Sequence, residues 1–176
     1  MASAPRATGA TLAISAWAVL GVVAILVQAI VRLLPYALEP LRGGEVELGV
    51  ALSYLAAIGL LGYAEGYRGF QRSFSPRAAV RAMAAARAPT RVKLIAPLMA
   101  MGLIHATRRR LIVSWTLVVT IVGFIVSVRL LPQPWRGAVD AGVVVGLSWG
   151  VVTLLSSWIA AVNGRAPAVD AELPGA

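Results

Sequence analysis

Few residues in this chain could do covalent chemistry, and their spacing suits electrostatics better than catalysis. His105 is the only histidine and there are no cysteines. Thiolate catalysis, disulfides, cysteine zinc sites and iron–sulfur clusters are therefore excluded. No acid or serine lies near His105 in a triad-like arrangement, and Ser73, Ser75, Ser114, Ser148, Ser156 and Ser157 have no base beside them in sequence. Walker, glycine-rich nucleotide, zincin and EF-hand motifs are missing. The expectation is a protein that is not an enzyme and carries no cofactor. His105 could ligate haem iron or shuttle protons, but a bis-histidine haem would need a second chain. Next to Arg108, Arg109 and Arg110, its ordinary role is a hydrogen bond to backbone or lipid.

The remaining ionisable residues fall into three groups. Glu65 stands alone among arginines, three residues before Arg68 and seven before Arg72. On a continuing helix, positions three apart share a face, so a Glu65–Arg68 salt bridge is expected. The functional alternative is a proton- or cation-coupled site, since ionisable groups within membranes often mark pathways. A second group pairs Arg32 with Glu47 and Arg129 with Asp140 as candidate ion pairs; Arg32, Arg42, Arg129 and Arg136 could instead form an anion or headgroup site. The third is a basic run in which Arg72, Arg77, Arg81, Arg108, Arg109 and Arg110 are candidate contacts to anionic lipid.

Four apolar runs must position these groups: roughly Thr11–Leu34, Leu48–Tyr67, Leu111–Leu131 and Ala141–Val162. Each approaches the ~20 residues a helix needs to cross the hydrocarbon core. The 176-residue chain is 59% hydrophobic with mean hydropathy +0.82, above the roughly 45–50% apolar share of soluble domains. Lipid is the medium that can cover so much apolar surface. Continuous runs without period-two alternation select helices over a barrel. The expected fold is all-α: a polytopic membrane protein with four transmembrane helices, plus a short interfacial helical linker. Residues 1–10 form the N-terminus, 11–67 a first hairpin, 68–110 a basic linker, 111–162 a second hairpin and 163–176 a flexible tail.

Charge sets the expected orientation. With an even number of spans, Arg6, Arg165 and the ten basic residues between the second and third runs share one side. Only Arg32, Arg42, Arg129 and Arg136 occupy the other. The positive-inside rule then puts both termini and the linker in the cytoplasm. The net charge of +9 reads as orientation and attraction to anionic lipid rather than nucleic-acid binding, because no reading motif with interleaved aromatics is present. Among the basic residues only Lys93 is lysine. With abundant Ala, Gly and Val, this suggests a GC-rich coding bias and a bacterial inner membrane. The first run resembles a signal peptide, but its length favours an uncleaved helix.

The halves look alike. Val31-Arg32-Leu33-Leu34-Pro35 matches Val128-Arg129-Leu130-Leu131-Pro132. Pro40-Leu41-Arg42-Gly43 parallels Pro134-Trp135-Arg136-Gly137, and Glu47-Leu48-Gly49-Val50 parallels Asp140-Ala141-Gly142-Val143. Duplication of one hairpin as a parallel repeat is the expectation. Gly142, Gly146 and Gly150 form a ridge on the fourth helix, and Gly49, Ser53 and Ala57 are its counterparts on the second. Small residues let helices approach in lipid, so helices two and four should pack near the axis with one and three outside. The alternative is that each small face receives the preceding helix of its own hairpin.

Tyr36 and Trp135 mark one border. Trp17, Trp115, Trp158, Tyr63, Tyr67 and Phe70 mark the cytoplasmic side, while Trp149 should pack at mid-helix. The second helix should end near Arg72, and Ser75 before Pro76 should start a short helix over Pro76–Ala88. Leu94–Ala106 is too short to span and should be interfacial or re-entrant. The functional expectation is a small protein acting through helix and lipid contacts, with a membrane-protein partner or a second copy, such as an accessory or assembly subunit. The alternative is a small dimeric transporter or channel, which should show a polar cavity near Gln28, Ser53, Thr120, Ser127 or Thr153.

Overall fold

The computed structural model describes residues 8–42 and 47–174. Arg6, Gly43 and the last two tail positions lie outside them. The described chain is helical, with four helices long and apolar enough to cross a membrane. Its elements are α1 (Gly9–Leu38), a 3-10 turn (Glu39–Leu41), α2 (Leu48–Leu61), a π-helix (Gly62–Phe74) and α3 (Ser75–Ala85). Two short helices, α4 (Thr90–Leu94) and α5 (Ala96–Ala100), precede α6 (Arg108–Arg129) and α7 (Trp135–Val162). This is the expected polytopic all-α architecture.

The second span differs from expectation in one respect. It does not end near Arg72 and restart at Ser75; α2, the π-helix and α3 form one unbroken helix, Leu48–Ala85. The reason lies in hydrogen-bond register. The Ser75 N–H donates to Phe70 O, five residues back, and Pro76 has no N–H to donate. Proline therefore falls where wide i→i+5 bonding returns to i→i+4 bonding, and the helix loses nothing more. Ser75 is buried and its Oγ lies 3.0 Å from Thr153 Oγ1, so it packs rather than caps.

At the centre of the bundle, α7 touches α1, α2, the π-helix and α3. The expectation for the second and fourth spans holds, since Gly142 abuts the Ala57 carbonyl and Gly146 abuts Leu61 O and Glu65. For the first span it does not: α1 also lies directly on α7. Only the third span, α6, stays outside. Ala57 takes part in the contact, whereas Gly49 meets nothing within 4 Å and Ser53 bonds to Val50 O on its own helix at 2.7 Å.

The core gathers at the end of the bundle where α1 begins and α7 finishes. Ala18, Val19 and Val22 meet Ala78, Ala82, Ala85, Ala96, Met99, Ala100 and Leu154 there. Alanine at most of these positions lets backbones approach closely, as close packing in lipid requires. The short helices α4 and α5 are part of this core: Met99 is buried, Pro97 lies on Gly21, and Trp17 Nε1 donates to Leu94 O at 3.1 Å. Neither is long enough to span. At the opposite end, Tyr54 Oη donates to Ala37 O at 2.7 Å and Gln133 Nε2 to Tyr36 O at 3.3 Å. These bonds engage carbonyls in the last turn of α1, which a helix end cannot satisfy alone.

Candidate functional site

The polar side chains form three clusters, at the two ends of the bundle and along its middle. The middle one follows from the π-helix. Parallel packing lines up α7 with the second span, and the register slips in a regular direction. The step from Gly142 to Gly146 on α7 matches the step from Leu61 to Glu65. The next step, Gly146 to Gly150, matches Glu65 to Phe70, and Gly150 to Thr153 matches Phe70 to Ser75. More residues are used per unit of length, as the wider π turn requires. Gly66 permits it by accepting Trp149, whose Cβ would lie 3.1 Å from a side chain there.

Gly146 lies about halfway along α7 between Trp135 and Trp158, about 17 Å from each along the helix. Glu65, which packs on Gly146, therefore faces the middle of α7. Phe70 and Gln71 lie about one turn further on, where Gln71 Oε1 accepts from Trp149 Nε1 at 2.8 Å. Arg68 and Arg72 share this stretch and are exposed, with the Arg72 guanidinium 5.7 Å from the Tyr67 ring centroid. No Glu65–Arg68 ion pair forms among the described residues, and Glu65 instead faces α7. Tyr63, Tyr67 and Phe70 lie along the same π-helical stretch.

At the end bearing the 3-10 turn, the expected pairs Arg32–Glu47 and Arg129–Asp140 do not form among the described residues. Arg32, Glu47 and Arg129 are exposed. Asp140, buried in the second turn of α7, takes Arg136 of its own helix at 3.5 Å. Arg136 also lies over the Tyr36 ring, 3.9 Å from its centroid. The i,i+4 geometry wins because both residues already sit on one face of a helix. Arg136 is thus held by a carboxylate and a ring, and Arg42, also exposed, is not drawn to it.

The third cluster lies at the end bearing the termini. Arg81 is fully buried; its Nη2 donates to Glu172 Oε2 and its Nε to Ala171 O, each at 2.8 Å. Arg110 Nε and Arg77 Nε approach the same oxygen to 3.8 and 4.0 Å. Thr107 N donates to Glu172 O at 2.8 Å, and Glu172 N donates to Asp170 Oδ1 at 2.7 Å. Within residues 163–176, read from sequence as flexible, Ala171 and Glu172 thus lie against α3 and the start of α6, and Leu173 against the core. Of the basic run, Arg108 and Arg109 remain exposed and Arg81 does not. His105 is exposed, has a positive φ of 48° and borders an open cavity of about 240 Å³ lined also by Ala84, Met99 and Leu173. No group of acids and histidines suited to a metal ion occurs among the described residues.

Sequence reasoning missed Glu172, Gly102 and Gln71. Two tail acids facing a strongly basic linker were the only signal for the first. The candidate polar positions of a transport cavity are occupied locally: Thr120 bonds to Thr116 O at 2.9 Å and Ser127 to Gly123 O at 3.0 Å. Thr153 bonds to Trp149 O and Gly150 O, while Gln28 is exposed. No family model, curated protein or solved structure matches the chain.

Proposed function

We propose that this protein is a non-catalytic membrane subunit that binds another membrane helix through the polar face of its second span. The observation carrying this reading is the exposure of Arg68 and Arg72 on the stretch that packs along the middle of α7; with Trp135 and Trp158 at the two borders, that stretch would lie at and just below mid-span. An arginine at the centre of a spanning helix costs on the order of 3 kcal/mol to insert, and such residues normally face protein or water. Arg68 lies too deep for its head to reach a border by snorkelling alone. A neighbouring helix carrying a carboxylate would neutralise the face, and α6, scarcely packed on its own chain, offers a second surface of attachment. The bundle would sit in a bacterial inner membrane with termini and linker cytoplasmic, as the arginine asymmetry favours. Its two hairpins would descend from one duplicated pair whose packing has since diverged.

Single-cysteine labelling tests the reading cleanly, because the chain has no cysteine of its own. Cysteine placed at Ala64 or Gly69 should resist a water-soluble maleimide in intact membranes. In the same membranes, a photo-crosslinker at Gln71 should capture one partner helix, and Arg68→Leu should abolish the capture. Capture of a second copy would make the partner this chain itself. Labelling from the aqueous phase without capture would sink the reading in favour of a water-filled pathway, the mark of a transporter or channel.

A further inference from the structure

The arginine cluster at the terminal end has the wrong stoichiometry for a structural salt bridge. Three guanidiniums converge on one oxygen, Glu172 Oε2, but only Arg81 reaches hydrogen-bond distance at 2.8 Å. Arg81 Nη1 and Arg110 Nε are buried without a partner. Both close on the same small space: a Cβ on Gly102 would lie 2.9 Å from each. Glycine is needed there twice over, since its φ is +73°. Arg108, Arg109 and Arg110 also occupy the first turn of α6, where the helix dipole disfavours cations and favours an anion. Asp170 is the other acid beside the cluster and is already engaged by the Glu172 N–H.

We infer that Arg77, Arg81 and Arg110 form a phosphate-binding site that the chain's own tail occupies through Glu172. A carboxylate oxygen serves one guanidinium well, whereas a phosphate group presents three strong acceptor oxygens and up to two charges. It would satisfy the donors that Glu172 leaves unpaired, in the planar geometry that arginine favours. Glu172 is a replaceable occupant: its φ of 52° is left-handed, a conformation costly to a side-chain-bearing residue. Arg77 and Glu172 are about one-third exposed, so the site opens to the surface. The phosphate could belong to a lipid headgroup or be free in solution. Its arrival would release Ala171–Leu173 from α3 and uncover the cavity beside His105.

The test uses full-length protein in nanodiscs with a spin label on Ala168→Cys, an exposed tail position. In phosphatidylcholine discs the label should be immobile. Inorganic phosphate should mobilise it if the ligand is a soluble phosphate; phosphatidic acid in the disc, without added phosphate, should do so if the ligand is a headgroup. Because a site filled by its own tail binds more weakly by the fraction left open, Glu172→Gln should bind the active probe about tenfold more tightly. Arg110→Gln, less buried than Arg81 and so less of a threat to folding, should abolish the response. A label that stays immobile with both probes would overturn the inference, as would Glu172→Gln leaving affinity unchanged. Glu172 would then be only a clasp for the tail.

Discussion

α6 and α7 belong to the same hairpin, yet they use their apolar surface in opposite ways. α6 is the more hydrophobic, with a mean hydropathy of 2.5 against 1.8, but only 11% of its spanning window is buried against 33% for α7. Hydrophobicity therefore does not select the helix that packs. Lipid is as apolar as leucine, so association depends on how closely backbones approach. α7 offers Gly142, Gly146 and Gly150 on one ridge, each touching the second span. α6 presents Ile112, Val113, Val119, Ile121, Val122 and Ile125 to its surroundings. Its single glycine in the span, Gly123, meets nothing within 4 Å.

The sharpest way to break this contrast is to fill the ridge. At Gly142 even a Cβ would lie 2.6 Å from the Ala57 carbonyl oxygen, and a backbone atom cannot swing aside as a side chain can. Gly142→Leu should destabilise the bundle by more than about 3 kcal/mol. SDS titration in mixed micelles, read by tryptophan fluorescence, should find little folded protein. Gly146→Leu should be milder than Gly142→Leu, because the nearest atoms, Glu65 Cβ and Oε2, lie farther off, at 3.1 and 3.2 Å.

Next in size is loss of volume from the terminal core. Leu154 is fully buried among alanines of α1 and α3, which have no spare length to fill a hole. Leu154→Ala should lower stability by about 2 to 3 kcal/mol in the same titration. Arg136→Met should follow at about 2 kcal/mol, since it removes the counterion from a buried Asp140 as well as the contact with Tyr36. The double variant Arg136→Met with Asp140→Asn should recover part of that loss. A cost for the pair equal to the sum of the singles would show that the two residues do not interact.

Much of the membrane architecture was legible because run length and charge both report one strong physical constraint, the exclusion of polar backbone and side chains from lipid. The glycine ridge was legible too, since spacing by four leaves only one face. Register beyond Glu65 was not. Ordinary helical rise would carry the residues after Glu65 past α7 in step with it. The π-helix shortens that climb and leaves Phe70 opposite Gly150 and Ser75 opposite Thr153, and no propensity scale reports a π turn. Sequence equivalence was also a poor guide to contact. Pro35 lies inside α1, whereas Pro132 follows the end of α6. Glu47 is exposed while its counterpart Asp140 is buried. Identical letters meet different neighbours because α1, α2, the π-helix and α3 gather around the glycine ridge of α7 while α6 stays outside. The Glu172 clasp joins residues 91 positions apart and depends on where the tail returns, which local pattern does not encode.

The smallest expected effect gives the comparison its control. Gly123→Leu adds the same bulk to α6 that Gly142→Leu adds to α7, in a helix of similar length. Open space at Gly123 means the new side chain displaces only lipid. It should also lose the modest penalty of glycine within a helix. Stability in mixed micelles should change by less than about 0.5 kcal/mol. In native membranes the same substitution reports on α6 differently. If a partner helix seats against this face, Gly123→Leu should weaken co-assembly while leaving the isolated bundle intact. Equal losses in micelles and in membranes would mean that α6 packs within its own chain, and the contrast with α7 would no longer hold.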